Sequence, residues 1–106
     1  DYDLLFKKKP TWSKAERLEY GQSMMTHAMV FSGVDLQGQK PTRWKVENSW
    51  GDKYGHKGYY VMSDAWFDEY MYEVAIDKKF LSSKMKTALK KRPIALAPWD
   101  PMGSLA

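Results

Sequence analysis

Between Thr42 and Trp50 apolar and polar positions alternate. Trp44, Val46 and Asn48 fall on one face of an extended chain, and Arg43, Lys45 and Glu47 on the other. That period of two predicts a strand with one side on a core and one in water. The run THAMVFSGVDL at 26–36 reads as a strand before it, with QGQKP at 37–41 as the loop between them. After a loop punctuated by Gly51, Gly55 and Gly58, YYVM at 59–62 resumes an extended run, and YEVAI at 72–76 is a further strand candidate. Helical signals are short. SKAE at 13–16 has the form of a capping box, in which Ser13 and Glu16 satisfy each other's backbone donors, and Gly21 closes that helix after about two turns. Ser63 and Asp64 can cap a helix through AWFDEYM. Met85, Ala88 and Leu89 have helical spacing in a segment from Ser83 to Lys91 that Pro93 stops. Residues 1–12 read as an irregular lead-in. The segment 93–106, broken by Pro98, Pro101 and Gly103, reads as an extended C-terminal arm. The fold class is α+β: an antiparallel sheet with short helices and that arm.

Composition narrows the class. The 106 residues suit one small domain, and a 43% hydrophobic, 15% aromatic content is not that of a disordered chain. No apolar run approaches the roughly 18 residues of a membrane helix, and DYDLLFKKKP lacks the apolar stretch and cleavage site of a signal peptide. With no cysteine the chain has no disulfide framework, which fits a reducing, cytoplasmic setting. The net charge of +4 gathers at Lys7–Lys9 and Lys84–Arg92, clusters that are ordinarily solvated faces. No His, Asp and Glu set has metal-ligand spacing, so neither a metal nor another cofactor is expected. The chain opens without Met and without a cap, as the interior of a larger polypeptide would.

The chemistry gathers where the first two strands pair. A hairpin folding near Gly38 makes His27 and Asn48 opposite or diagonal neighbours, with Cβ atoms roughly 5 to 7 Å apart on one face. A slip of one residue would separate them. An Asn oxygen accepting from one ring N–H fixes the histidine tautomer and turns the other nitrogen toward a reacting group. A histidine that is merely hydrogen-bonded within a sheet is the plainer interpretation of the same pair. His56, between glycines, is an exposed loop residue.

Three motifs then carry a resemblance. MTHAM around His27-Ala28, ENSWG at Asn48-Ser49-Trp50-Gly51, and GYY at Gly58-Tyr59 resemble, in order, the histidine and asparagine half of papain-like cysteine peptidases. With the tail PWDPMGSLA, they look like the bleomycin hydrolase and aminopeptidase C branch. The resemblance covers nearly the whole chain. It implies that His27 serves as general base and then general acid to a thiolate, that Asn48 orients it, and that Trp50 shields their hydrogen bond. An ordinary core aromatic is an equal interpretation of Trp50. In that branch the C-terminal carboxylate lies in the cleft against the substrate's free amino group, which implies substrate-binding roles for Ala106 and Leu105. A frayed terminus is the bland alternative there.

The family's nucleophilic cysteine precedes its histidine by well over roughly a hundred residues. It therefore falls outside this sequence, as does the glutamine of the oxyanion hole. The expectation is that residues 1–106 are the C-terminal part of a papain-like peptidase domain, and that the chain alone is inactive. Some of its apolar surface should then be exposed or covered by the rest of the enzyme. The parent would be a metal-independent cysteine aminopeptidase acting on peptides and assembling as a homo-oligomer. Two rivals stand beside it: a basic, aromatic-rich module binding nucleic acid or protein, and a nonfunctional proteolytic remnant.

Overall fold

The computed structural model describes residues 4, 5, 7 and 11–103. Its centre is a three-stranded antiparallel sheet in the order β1 (Val30–Gln37), β2 (Lys40–Glu47), β3 (Tyr59–Ser63). Helix α1 (Lys14–Glu19) precedes the sheet, α2 (Asp64–Tyr70) follows β3 directly, and α3 (Ser83–Ala88) lies near the C-terminal end. Short 3-10 turns occupy Lys78–Phe80 and Pro101–Gly103.

The hairpin turns at Gly38, whose φ of 63° is left-handed and costs a glycine little, so that Gln37 pairs with Lys40. Two irregularities follow, one on each strand. Ser32 is skipped between Phe31 and Gly33 on β1, and Thr42 is skipped between Pro41 and Arg43 on β2. Each skipped residue spends its hydroxyl on the neighbouring strand, Ser32 on the Lys45 carbonyl and Thr42 on the Asp35 carbonyl. A single extra residue reverses which side chains face the core. Two on opposite strands cancel, and the alternation of Trp44, Val46 and Asn48 keeps one face throughout.

That face is the core. Val46 is 1% exposed, and Met62 from β3 is buried beside it. Trp44 stacks on Phe67 of α2 with ring centroids 4.8 Å apart, and Phe31 meets both edge-on at 5.5 Å. The indole N–H of Trp44 donates to the Asp64 carboxylate at 2.8 Å, so the sheet grips the first turn of α2. The opposite face carries Arg43, Lys45 and Glu47, with Lys45 lying over the Tyr59 ring and Arg43 facing Asp35.

The other end of α2 is held by α1. The last carbonyls of a helix have no partner within it and carry partial negative charge. Lys14 donates to the carbonyls of Asp68 and Met71, and Arg17 to the carbonyl and carboxylate of Glu69 as well as to the Trp12 carbonyl. Arg17 is buried, and its bond to Glu69 raises its pKa further still. The capping box is formed as the sequence predicts, with Ser13 and Glu16 exchanging hydrogen bonds. Ser63 caps α2 and Ser82 caps α3.

Three expectations change. The first strand begins at Val30 rather than Thr26, because β2 ends at Glu47 and offers no ladder beyond it. YEVAI is not a strand: it lies in a coil at 71–77 with Val74 and Ile76 more than half exposed, and extended backbone without a neighbour forms no sheet. The arm contains a 3-10 turn at Pro101–Gly103, where Gly103 N–H donates to the Asp100 carbonyl. Large apolar side chains lie open to solvent, among them Val61, Leu89, Ile94 and Trp99. Among the described residues no helix is long and apolar enough to cross a membrane.

Candidate active site

His27 and Asn48 meet just beyond the mouth of the hairpin. Nε2 of His27 lies 2.8 Å from Oδ1 of Asn48. The same Oδ1 accepts the backbone N–H of Ser49 at 2.7 Å. A backbone N–H can only donate, so the atom it meets is the amide oxygen. That oxygen can only accept, so Nε2 carries the proton and donates. In the neutral ring Nδ1 is then the unprotonated nitrogen, free to take a proton from a neighbour. Ser49 is a contributor that the sequence reading missed. Its signal is local, an Asn side chain folding back onto the next peptide.

The register explains the meeting, though not as predicted from a turn centred on Gly38. Val30 pairs with Glu47. Carried three residues outward, that register sets His27 against Trp50 and leaves Asn48 as its diagonal neighbour on the same face. The offset from direct opposition is two residues, and a shift of two preserves the face. Trp50 indeed lies against the imidazole, ring centroids 5.3 Å apart at 40°. Trp50 is itself 59% exposed, so within this chain one side of the pair remains open to water.

Asn48 is further fixed by its backbone, whose N–H donates to the Gly58 carbonyl at 3.0 Å. The loop between them is closed by His56, which exchanges backbone hydrogen bonds with Tyr59 and leaves its own side chain exposed. Gly55 is required there. At φ 60° a Cβ would sit 2.6 Å from the Tyr59 carbonyl oxygen and 2.8 Å from the Tyr60 ring.

Beside the pair, a shallow cavity of about 280 Å³ is lined by Ala28, Met29, Val30, Glu47, Asn48 and Ser49. Leu105 and Ala106, the two candidate substrate contacts, lie outside the described residues. Among the described residues no group of three or more His, Asp or Glu is placed to hold a metal ion.

An imidazole with one nitrogen committed to an amide oxygen and the other open is the equipment of an oriented general base. Comparison with known proteins gives it a family. Residues 1–103 match the Peptidase C1-like family. Aminopeptidase C of Lactobacillus delbrueckii subsp. lactis is 56% identical over 107 residues, covering 98% of this chain and 24% of that protein. Human bleomycin hydrolase is 49% identical over 110 residues, covering 100% of this chain and 24% of its own length. A crystal structure of PepW from Lactobacillus rhamnosis HN001 superposes with a TM-score of 0.87 at 57% identity, over 97% of this chain and 24% of that one. The chain thus spans about 24% of the length of the relatives it matches. On the family match and these identities, the chain belongs to the Peptidase C1-like family.

Proposed function

We propose that this chain supplies the histidine and asparagine of a cysteine aminopeptidase of the aminopeptidase C and bleomycin hydrolase type. The observation that carries the reading is the His27–Asn48 hydrogen bond, with its tautomer fixed by Ser49, in a chain 56% identical to an aminopeptidase C.

In this reading each nitrogen has a task. Nε2–H stays on the Asn48 oxygen throughout. Nδ1 takes the proton of a cysteine thiol that this chain does not contain, and the thiolate attacks the carbonyl carbon of the scissile bond. The C–N bond then breaks as the imidazolium returns its proton from Nδ1 to the leaving amine. Water, deprotonated by the same nitrogen, attacks the thioester. The acid leaves and the thiol is restored. Asn48 accepts the hydrogen bond that steadies the imidazolium, and Trp50 covers one side of it against solvent. On the family resemblance alone, the Ala106 carboxylate is assigned to the substrate's free amino group, with Leu105 as a further substrate contact.

Residues 1–106 then form the histidine and asparagine part of a papain-like domain, with 93–106 as its arm, in a cytoplasmic homo-oligomer. Without a cysteine the chain by itself forms no thioester and hydrolyses no peptide. The test is hydrolysis of aminoacyl-p-nitroanilides by the full-length polypeptide and its His27→Ala variant. Removing the general base should lower kcat/KM by at least about 10³-fold. Wild-type turnover in that variant would overturn the assignment.

A second reading has one observation in its favour. Lys84, Lys86, Lys90, Lys91 and Arg92 are all exposed around α3, a surface able to meet nucleic acid. Single-stranded DNA binding that weakens steeply with salt would support it.

A further inference from the structure

The imidazole of His27 sits on backbone that belongs to no helix or strand, between the C-terminal cap of α1 and the first residue of β1. Such a segment does not place a side chain by itself. At its start the chain is tied twice at one residue. Ser23 N–H donates to the Arg17 carbonyl at 3.0 Å, and the Ser23 hydroxyl hydrogen-bonds the Tyr72 hydroxyl. Tyr72 is also held. Its ring lies under the Lys14 ammonium, 5.1 Å from nitrogen to centroid, and the same ammonium donates to the carbonyl of Met71, the residue before it. Lys14 and Arg17 together lock α1 onto the end of α2, which the Trp44–Asp64 hydrogen bond ties to the sheet carrying Asn48. A continuous series of contacts thus runs from the sheet through α2, Lys14, Tyr72 and Ser23 to the stretch bearing His27.

We infer that Tyr72 and Ser23 are positioning residues for His27, a hydroxyl pair that fixes where the irregular segment leaves the α1–α2 platform and so where Nδ1 points. The inference rests on the functional reading above and extends it to two residues outside the His–Asn pair. Both hydroxyls are part-buried and bond each other, while the His27 ring bonds Asn48. They act on the imidazole only through backbone. A misplacement of about 1 Å at a reacting group costs on the order of 10²-fold in rate, and a loosened tether shifts the average by less than that.

The test uses the full-length polypeptide. Tyr72→Phe keeps the ring beneath Lys14 and removes the hydroxyl. Ser23→Ala removes the partner, and Ser23→Thr restores a hydroxyl. The expected result is a fall in kcat of about tenfold with KM within about twofold for Tyr72→Phe and for Ser23→Ala, recovery in Ser23→Thr, and no further loss in the double variant. The imidazole ¹⁵N resonances of His27 should also shift toward tautomer averaging in the two impaired variants. Turnover and resonances unchanged in both would overturn the inference, as would losses that multiply in the double variant. If the full-length polypeptide hydrolyses no aminoacyl substrate, the functional reading fails. The His27 resonances then decide the tether alone.

Discussion

Asn48 and His27 meet at one hydrogen bond but are delivered to it by opposite means. Asn48 follows directly on β2, in line with Val46, the most buried residue of the core, and its own peptide is bonded to Gly58. Its position is the continuation of a ladder. His27 stands three residues outside β1 on irregular backbone, and its support consists of side chains: Ser23, Tyr72, Lys14 and Arg17. A ladder holds through many hydrogen bonds of modest individual worth, so no single one matters greatly. A tether of side chains concentrates its effect in a few groups. The lesson is that the two halves of one site should fail differently.

The largest effect sharpens the comparison at its meeting point. Asn48→Ala in the full-length polypeptide leaves the ladder intact and releases the imidazole, so that Nδ1 and Nε2 compete for the proton. We expect kcat/KM to fall about 10²-fold. Because Asn48 is not a core side chain, the thermal midpoint should move by no more than a few degrees. A loss of activity matched by a collapse in stability would mean that Asn48 is structural, and the contrast drawn above would break.

The next largest effect attacks the loop behind Asn48. Gly55→Ala forces a Cβ into the Tyr59 carbonyl and the Tyr60 ring at a left-handed φ. Such strain costs about 2 kcal/mol. Urea unfolding should show a lowered midpoint with an unchanged slope, and the His27 resonances should stay near their wild-type positions if the two supports are separate. Movement of those resonances by a change on the Asn48 side would argue for one shared support.

How much of this could be read from sequence follows the same division. The β2 alternation and the turn at Gly38 place Asn48, because a half-buried strand writes its two faces into every second residue. The capping box at Ser13 and Glu16 and the cap at Ser63 are equally legible, since each depends on residues only three apart. The compensating bulges at Ser32 and Thr42 are not. Neither residue announces that it will be skipped. Because the two cancel, the offset of His27 from direct opposition to Asn48 comes from the turn itself, which is the pair Gly38–Gln39 between Gln37 and Lys40 rather than a turn centred on Gly38. Ser23 and Tyr72 escaped notice for another reason. Their contact joins residues far apart in sequence, through coil on both sides, where no periodicity exists to be read. YEVAI has strand composition and no strand beside it, which composition cannot foresee.

The smallest effect isolates the His27 side. The Glu16 carboxylate accepts from the Ser13 hydroxyl at 2.7 Å and from its backbone N–H at 2.6 Å, and these bonds, the hydroxyl's foremost, lower its pKa below the ordinary 4.5. A depressed folded pKa contributes stability that is fully present above the unfolded value and is lost as pH falls through the folded one. The start of α1 should therefore loosen in acid, below about pH 4.5, while the sheet does not sense this group. Glu16 is exposed, so the effect is slight and is best followed through the Ser13 amide resonance. The pKa of the Asp77 carboxylate is also lowered, by its bonds from the Lys79 backbone and side chain, but Asp77 belongs to a different turn. In Glu16→Gln the acid transition at Ser13 should vanish, because an amide does not titrate. If α1 is the platform on which His27 depends, that transition in the wild-type chain should be accompanied by a small change at Tyr72 and none at Val46. An equal response at both residues would show that the molecule yields as one body, and that ladder and tether are not independent supports.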